Sequence, residues 1–336
     1  MKQPMFSILV PVYNAVPFLD ECVKSLVEQS IADYEIILVN DGSSDGSGAC
    51  CDLWQNRYPE KIRVIHQENQ GAVLARAAAL RAAAGSYLVF VDSDDVLHTD
   101  ALKTLEGYLC RYGSDLVLYN LSSKPDFSVS IQQLPFRDGE VMNLSDSQSL
   151  RETLLGSFLL NSLCMKCVSR EIACADRDYK ALAHIWWGDD LVISLPMMEK
   201  AKRIVYCDQS LYYYRQNPQS VTNNYNPKLF RSVRDALQHQ RSCAQKYDSD
   251  GSLTLLADKN ALWYYYVVIA EICLSGLLVS EKKKYLLEVI SEPEFERVCV
   301  YSAMLRDAKA KLTVWLAKHR LFAPLYLYGF LNRLRK

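Results

Sequence analysis

Four short apolar runs alternate with segments of helical periodicity in the first third of the chain. The first run is continuous rather than alternating with polar residues, which is typical of a strand that helices cover on both faces. The four runs are Phe6–Val12, Tyr34–Asn40, Ile62–Ile65 and Tyr87–Val91. This order of strands and helices predicts an α/β fold, a mostly parallel sheet with right-handed crossovers and flanking helices.

The pattern changes twice in the rest of the chain. Residues from about Ser122 to Ser147 are polar and irregular, helical and short strand signals then return, and beyond Asn226 only helical periodicity is found. A length of 336 residues suits about two domains. We therefore predict an α/β domain at residues 1–225 and a helical region at residues 226–336.

Composition argues against several classes of protein. The formal net charge of -1 gives no general reason to expect nucleic acid as a partner. The longest apolar candidate for a membrane span, Ala261–Val279, is interrupted by Glu271. The eleven cysteines are irregularly spaced and the apolar run near the N-terminus is short, so we expect a reduced, cytoplasmic protein. Cys164 and Cys167 are then buried free thiols rather than zinc ligands.

Three carboxylates follow the strand Tyr87–Val91 within four positions, namely Asp92, Asp94 and Asp95. Asp41 lies at the corresponding end of the second strand. Ligands bind at the carboxyl ends of the strands in such sheets, so these side chains mark the predicted binding edge. A divalent cation would offset the mutual repulsion of the carboxylates. The alternative is a solvated loop whose acidic residues cap or border the next helix, the interpretation we prefer for Asp95.

Two metal-dependent chemistries use carboxylates in this position. A phosphatase with an aspartate nucleophile requires D-x-D-x-[TV], which Asp92–Val96 matches. Its nucleophile normally follows the first core strand, however, whereas three strands precede Asp92 here. Its later GDxxxD motif is also incomplete, because the motif begins at Gly188-Asp189 but positions 192 and 193 are Val and Ile. The second chemistry is a D-x-D that holds Mn²⁺ or Mg²⁺ on the diphosphate of a nucleotide.

Four motifs in sequence order favour the second chemistry. They are FSILVPVYNAVPFLDECVKSLVEQSIADYEIILVNDGSSDGS, NQGAVLARAAALRAAAGSYLVFVDSDD, WWGDDLVISLPMM and YYYRQNPQSVT. Together they strongly resemble the inverting nucleotide-sugar glycosyltransferases of family 2, over about residues 5–222. The resemblance implies a Rossmann-like GT-A fold, a catalytic domain at residues 1–225, and a UDP-sugar as the donor.

The resemblance assigns the first two strand ends to the nucleotide base. Pro11 and Tyr13 would line the base, and Tyr13 could lie against a uracil. Asp41 would read the base, since a carboxylate can accept a hydrogen bond from the pyrimidine N3–H. Ordinary turn chemistry after a strand is the alternative for all three residues.

The same family pattern assigns the diphosphate and the metal. Asp92 would reach the ribose and the metal shell, and Asp94 would coordinate Mn²⁺ or Mg²⁺ directly. Arg76 and Arg215 would pair with phosphate oxygens through their guanidinium groups. Exposure on a helix is the alternative for Arg76, and a polar turn is the alternative for Arg215. The loop that contains Arg215 also contains Ser220 and Thr222.

Catalysis would depend on the pair Asp189-Asp190. By resemblance Asp190 is the general base that deprotonates the acceptor hydroxyl, with Asp189 beside it. The alternative is that both residues only stabilise the start of the helix that follows. Trp187 is a candidate platform for a sugar ring of the acceptor, and packing in the protein interior is the alternative. Lys166 lies where family members often have a lysine near the acceptor.

The C-terminal segment Ala303–Lys336 contains eight basic residues and one acidic residue, a net charge of +7, with interleaved aromatic and aliphatic residues. This pattern predicts either an interfacial helix on anionic lipid or a helix packed with a charged outer face. The first alternative implies peripheral contact with the inner face of the cell membrane.

The sequence therefore predicts an inverting hexosyltransferase that uses a UDP-sugar, with UDP-glucose or UDP-galactose as the expected donor. By resemblance the acceptor is a saccharide linked to polyprenyl diphosphate, in the assembly of surface polysaccharide such as O-antigen or capsule. One alternative is a nucleotidyltransferase, but PVYNAVP stands where that class has a glycine-rich turn with arginine. Another is a carbohydrate-binding protein without activity, although every acidic motif position is filled.

Overall fold

The computed structural model describes residues 3–173, 176–217 and 226–333, with side chains up to residue 327. The chain forms two compact units. The first contains Met1–Thr153 and Phe158–Asn217, and the second contains Leu154–Ser157 and Pro218–Lys336. The division of function between residues 1–225 and 226–336 stays a prediction.

In the described part of the first unit, nine strands form one sheet. In chain order they are β1 (Phe6–Val12), β2 (Tyr34–Asp41), β3 (Ile62–Gln67), β4 (Tyr87–Phe90), β5 (Val96–Leu97), β6 (Leu116–Ser122), β7 (Val141–Met142), β8 (Lys166–Ser169) and β9 (Ile204–Tyr213). Their order across the sheet is β3-β2-β1-β4-β8-β6-β9-β5, and β7 also pairs with β9.

The predicted parallel sheet is found in the half formed by the first four strands. β1 pairs with β2 and β4, and β2 pairs with β3, all in parallel. The other half is mixed, because the short strand β8 runs antiparallel to both β4 and β6. The α/β fold class with a sheet between helices is confirmed.

Helices flank the sheet, and their sequences explain where they form. They are α1 (Val16–Val27), α2 (Ser47–Arg57), α3 (Ala72–Ala82), α4 (Ala101–Tyr112) and α6 (Asp189–Lys200). A further helix, α5 (Gln148–Gly156), begins in the first unit and ends in residues assigned to the second. Pro17 lies in the first turn of α1, where proline is compatible with a helix. The apolar stripe of α1 is buried, namely Leu19, Cys22, Val23 and Leu26. The described part of the unit also contains two short 3-10 turns, Leu163–Met165 and Lys180–Leu182.

The described part of the second unit is helical, as predicted. It contains α7 (Leu229–Tyr247), α8 (Ser252–Leu274), α9 (Val279–Ile290), α10 (Pro293–Val298), a 3-10 turn (Cys299–Met304), α11 (Ala308–Lys318) and α12 (Phe322–Arg333). The expectation of one helix from about Ala303 onward is wrong. The chain turns between α11 and α12, where Arg320 has a φ of 55°, a left-handed conformation that a continuous helix does not contain.

Two expectations, one about the cysteines and one about membrane spans, can be compared with the structure. The ten cysteines among the described residues are all free, and Cys164 and Cys167 are buried. Within the described ranges, no helix combines the length and the apolar composition that a membrane span would need.

Candidate active site

The site lies at the carboxyl ends of the parallel strands in the first unit. Asp41 is the last residue of β2, and Asp92 follows β4 by two residues. Arg76 lies in the first half of α3, which begins directly after Gly71. Gly71 has a φ of 87°, a conformation that glycine adopts without steric cost. The strand ends and this turn bring Arg76 to the acidic cluster.

Arg76 pairs with three carboxylates. Its Nη2 lies 2.8 Å from Oδ1 of Asp92 and 3.5 Å from Oδ1 of Asp190, and its Nη1 donates to Oδ2 of Asp189. The guanidinium is buried, with 7% of its side chain exposed. Burial disfavours its charge, but Asp190, Asp92 and Asp189 raise the pKa of Arg76 well above its ordinary value. Arg76 therefore joins the end of β4 to the start of α6, and its predicted contact with a diphosphate stays a prediction.

Asp189 and Asp190 form the first turn of α6, as the sequence predicts. Gly188 precedes them with a φ of 80°, and the positive end of the helix dipole favours their charge. Oδ2 of Asp190 accepts a hydrogen bond from the backbone N–H of Leu163 at 3.2 Å. Its Oδ1 accepts no hydrogen bond within the described residues, although Arg76 is near it.

The environment of Asp190 suits a general base. Burial raises the pKa of Asp190 to about 7, Arg76 lowers it, and Asp189 and Asp92 raise it further. Burial also raises the pKa of Asp189. A base is most effective when its pKa lies near the working pH, and an oxygen without a hydrogen bond can receive a proton. The base assignment stays a prediction that this geometry supports.

Asp94 and Asp95 have different surroundings. Asp94 accepts from Nδ2 of Asn217 at 3.0 Å, and burial raises its pKa. Asp95 accepts from the hydroxyl of Tyr212 at 2.6 Å and from the backbone N–H of Arg215 at 2.7 Å. Burial and the neighbouring aspartates raise the pKa of Asp95 to about 8. The expectation that Asp95 caps or borders the next helix is wrong, because Asp100 is the residue that precedes α4. The carboxylate of Asp95 instead connects β9 to residues 92–95, which we call the acidic loop.

Arg215 lies beside the acidic loop, after the end of β9. Its Nε donates to the backbone oxygen of Asp94 at 2.8 Å, and its Nη2 lies 2.6 Å from Oε2 of Glu21. The guanidinium also lies 5.4 Å from the ring centroids of Phe18 and Tyr213. Its predicted pairing with a diphosphate stays a prediction. Ser220 and Thr222 lie outside the described residues.

The predicted base-binding residues surround the end of β2. Asp41 is almost fully buried, and its carboxylate accepts from Nε2 of Gln67 and the backbone N–H groups of Gln70 and Gly71, at 2.7, 2.9 and 2.8 Å. It therefore fixes the turn that leads into α3, and these contacts occupy three of its roughly four lone-pair positions. Its predicted contact with a base stays a prediction. Pro11 is partly buried and Tyr13 is half exposed, which leaves the Tyr13 ring accessible for stacking.

The two predicted acceptor residues differ in burial. Trp187 is partly exposed in the turn before α6. Lys166 is fully buried, and its Nζ donates to the backbone oxygens of Leu160, at 2.6 Å, and Ser162. Burial lowers the pKa of Lys166 to about 7, while Asp190 favours the charged form. The buried ammonium of Lys166 presents no exposed atom to an acceptor.

The residues fit a divalent cation only together with a ligand that brings further oxygens. Across the described ranges, no group of three or more His, Cys, Asp or Glu side chains could hold a metal ion. Asp92 and Asp94 supply two carboxylates, the hard oxygen ligands that Mg²⁺ and Mn²⁺ prefer. Mg²⁺ is commonly held by one or two carboxylates, with water and substrate phosphates as the remaining ligands. A nucleotide diphosphate would supply those phosphates.

The prediction from sequence missed several residues that contact the site. They are Glu21, Gln67, Leu163, Cys164, Tyr212 and Asn217. Cys164 donates from Sγ to Oδ2 of Asp92 at 3.5 Å. Asn217 could have been found from its place two residues after Arg215. The others had no signal, because each lies in an ordinary strand, turn or helix pattern.

Comparison with known proteins identifies the family. The sequence profile of "Glycosyl transferase family 2" matches residues 7–172. The chain is 30% identical over 300 residues to the uncharacterized glycosyltransferase EpsJ of Bacillus subtilis, covering 86% of this chain and 84% of that protein. The chain belongs to glycosyl transferase family 2. This family 2 enzyme is a glycosyltransferase that acts on a nucleotide sugar.

Two solved structures share the fold. A crystal structure of residues 1–349 of S. aureus TarS, in complex with UDP-GlcNAc, has a TM-score of 0.66 and 18% identity, over 98% of this chain and 92% of that one. The mannosyltransferase PcManGT of Pyrobaculum calidifontis, in complex with GDP-Man and Mn²⁺, has a TM-score of 0.53 and 14% identity, over 99% and 88%. The expected GT-A fold of this family 2 enzyme is thereby confirmed.

Proposed function

We propose that this enzyme transfers a hexose from a UDP-sugar to a lipid-linked saccharide, with inversion at the anomeric carbon. The observation that carries the proposal is the position of Arg76, which contacts Asp92 on the donor side and Asp189 and Asp190 on the catalytic side. These contacts of one buried guanidinium support a general base that lies next to the donor site. A single displacement requires that proximity.

The proposed reaction follows from these positions. Asp190 accepts the proton of the acceptor hydroxyl as the oxygen attacks the anomeric carbon, and the bond to the UDP oxygen breaks on the opposite face. Asp92 and Asp94 would hold Mn²⁺ or Mg²⁺. When bound, such a cation neutralises the charge that develops on the leaving diphosphate. Arg215 lies beside the same loop and would contribute a second positive charge there.

The choice of UDP has two supports. Asp41 and the accessible ring of Tyr13 suit a uracil, as argued above. The TarS structure, which has the higher TM-score of the two solved structures, contains UDP-GlcNAc, whereas the PcManGT structure contains GDP-Man. We propose UDP-glucose or UDP-galactose as the donor, and UDP-GlcNAc and GDP-mannose are the informative competitors.

The proposed peripheral membrane contact rests on one face of α11. The exposed face contains Leu312 and Trp315, which are 57% and 50% exposed, together with the exposed lysines Lys309, Lys311 and Lys318. We call these five residues the α11 face. Exposed apolar side chains between lysines suit the surface of an anionic bilayer, where a polyprenyl-linked acceptor of surface polysaccharide resides.

The direct test is release of the nucleoside diphosphate, UDP or GDP, from a panel of nucleotide sugars. The panel contains UDP-glucose, UDP-galactose, UDP-GlcNAc and GDP-mannose, each with and without a polyprenyl-diphosphate-linked GlcNAc acceptor and with Mn²⁺ or Mg²⁺. We expect UDP-glucose or UDP-galactose to release UDP only when the acceptor is present. Turnover of GDP-mannose alone would contradict the proposed nucleotide, and equal release without acceptor would contradict the proposed transfer.

A further inference from the structure

Lys166 is a buried charged group that the proposed reaction does not use. It is the first residue of β8, which lies between β4 and β6, and it is fully buried. Burying an ammonium is costly unless hydrogen bonds and opposite charge compensate for the lost water. Its surroundings should therefore show what the lysine stabilises.

The hydrogen bonds of Lys166 reach one backbone segment. Its Nζ donates to the backbone oxygens of Leu160 and Ser162. These residues directly precede the 3-10 turn Leu163–Met165, where the Ser162 hydroxyl also accepts from the backbone N–H of Cys164. From its position in the sheet, Lys166 thus stabilises the backbone that directly precedes the 3-10 turn.

The same turn contacts both acidic parts of the site. The backbone N–H of Leu163 donates to Oδ2 of Asp190, and Sγ of Cys164 donates to Oδ2 of Asp92. A shift of residues 160–163 would therefore move a hydrogen-bond donor away from Asp190. Lys166 is connected to Asp190 through the segment that it holds.

We propose that Lys166 is a positioning residue for the general base. It fixes residues 160–163 so that the N–H of Leu163 orients the carboxylate of Asp190, and its ammonium favours the ionised carboxylate. This inference rests on the proposed role of Asp190. It replaces direct contact with the acceptor, the role predicted from the sequence, because a buried ammonium held by two backbone oxygens has no exposed atom.

The charges around Asp190 give the direction of the effect. Arg76 from α3 and Lys166 from β8 favour the ionised carboxylate. Asp189 on α6 and Asp92 after β4 oppose it, as would a thiolate at Cys164. Removing Lys166 leaves Arg76 as the one cation in this group against the other carboxylates. Protonation of Asp190 then becomes easier, and activity should be lost at a higher pH.

The test measures rate against pH in Lys166→Met, which removes the charge and the N–H donors but keeps an unbranched side chain. We expect the acid limb of kcat/KM to move up by about one to three pH units, the range for loss of a nearby opposite charge. Affinity for UDP and the KM for acceptor should stay near those of the unchanged enzyme. Lys166→Arg keeps the charge and the N–H donors, so its acid limb should lie near that of the unchanged enzyme. The matched control is Lys103→Met, the same change at an exposed position on α4.

A second variant tests the connection if Lys166→Met does not fold. Leu163→Pro removes the backbone N–H that donates a hydrogen bond to Asp190. Leu163 is the first residue of the 3-10 turn, a position where proline is compatible. Ser162 has φ -59° and ψ 134°, as the residue before a proline requires. We expect the same upward shift of the acid limb, whereas Leu163→Ala, which keeps the N–H, should leave the limb in place.

The outcomes separate the possible roles. A limb that stays in place in Lys166→Met while the acceptor KM rises would show direct acceptor contact and overturn the inference. A limb that stays in place in Leu163→Pro would overturn the connection through the backbone. Retained activity in Asp190→Asn would instead overturn the proposed base, whatever the lysine variants show.

Discussion

Nη2 of Arg76 lies 2.8 Å from Oδ1 of Asp92, and the same side chain pairs with Asp189 on a helix more than one hundred residues later. Arg76 is the main link between the carboxylates proposed to hold the donor and the pair proposed to deprotonate the acceptor. Without it, three partly buried carboxylates would face one another. The guanidinium of Arg76 therefore stabilises the folded arrangement of these carboxylates and also favours the ionised state of Asp190.

Arg76→Gln should lower both stability and activity. Removing one partner of a buried ion pair leaves uncompensated charge and costs on the order of 3–5 kcal/mol. We expect a lower free energy of unfolding in urea and an acid limb of activity at higher pH. Arg81→Gln, at an exposed position on the same helix, is the control and should leave both unchanged. An unchanged urea midpoint in Arg76→Gln would show that the cluster is not an ion pair in solution.

Asp94→Asn should remove the metal-dependent part of nucleotide binding. The remaining charges cannot hold the cation, so UDP affinity in Mn²⁺ should fall to about the affinity without metal. Calorimetry of UDP binding with and without Mn²⁺ measures this. Asp126→Asn, a change at an exposed turn, is the control. Mn²⁺-dependent UDP binding that survives in Asp94→Asn would make the D-x-D assignment wrong.

Activity should depend on a group with a pKa near neutrality. Burial raises the pKa of Asp190 to about 7, and only the ionised carboxylate can accept a proton. Rates should therefore be lost as pH falls through about 7, with kcat/KM falling tenfold per pH unit below it. A profile that stays flat down to pH 5, with the protein folded by circular dichroism, would exclude Asp190 as the base.

The α11 face should bind anionic vesicles. Each lysine near an anionic surface contributes about 1 kcal/mol, screened by salt, and the apolar side chains add a part that salt does not weaken. Leu312→Ser with Trp315→Ser should reduce co-sedimentation with phosphatidylglycerol vesicles and leave UDP binding intact. Leu53→Ser, at a residue 70% exposed, is the control. Full co-sedimentation of the double variant would rule out the α11 face as the contact.

Much of the fold could be predicted from local patterns. The mainly apolar runs predicted β1, β2 and β4, and the rule for strand ends placed Asp41 and Asp92 at the carboxyl edge of the sheet. The first-turn position of Asp189 and Asp190 also follows from the sequence around Gly188. These features depend on periodicity over a few residues.

The pairing of side chains could not be predicted in the same way. Asp95 bonds to Tyr212, 117 residues away, and Arg76 bonds to Asp189, 113 residues away. Each contact depends on how loops from distant strands pack over the sheet edge, which no local pattern specifies. Lys166 illustrates the same limit, because a single lysine in a strand does not indicate whether its ammonium is buried.

Turnover and donor binding of Asp190→Asn test the central claim most directly, because the account separates the two. Asparagine keeps the size of the side chain but cannot accept the acceptor proton. Turnover should therefore fall on the order of 10²–10⁴-fold, the scale for losing general base catalysis. Affinity for the UDP-sugar, measured by calorimetry on the same sample, should stay near that of the unchanged enzyme. Mild loss of turnover in Asp190→Asn, with severe loss in Asp189→Asn, would contradict the account and assign the base to Asp189.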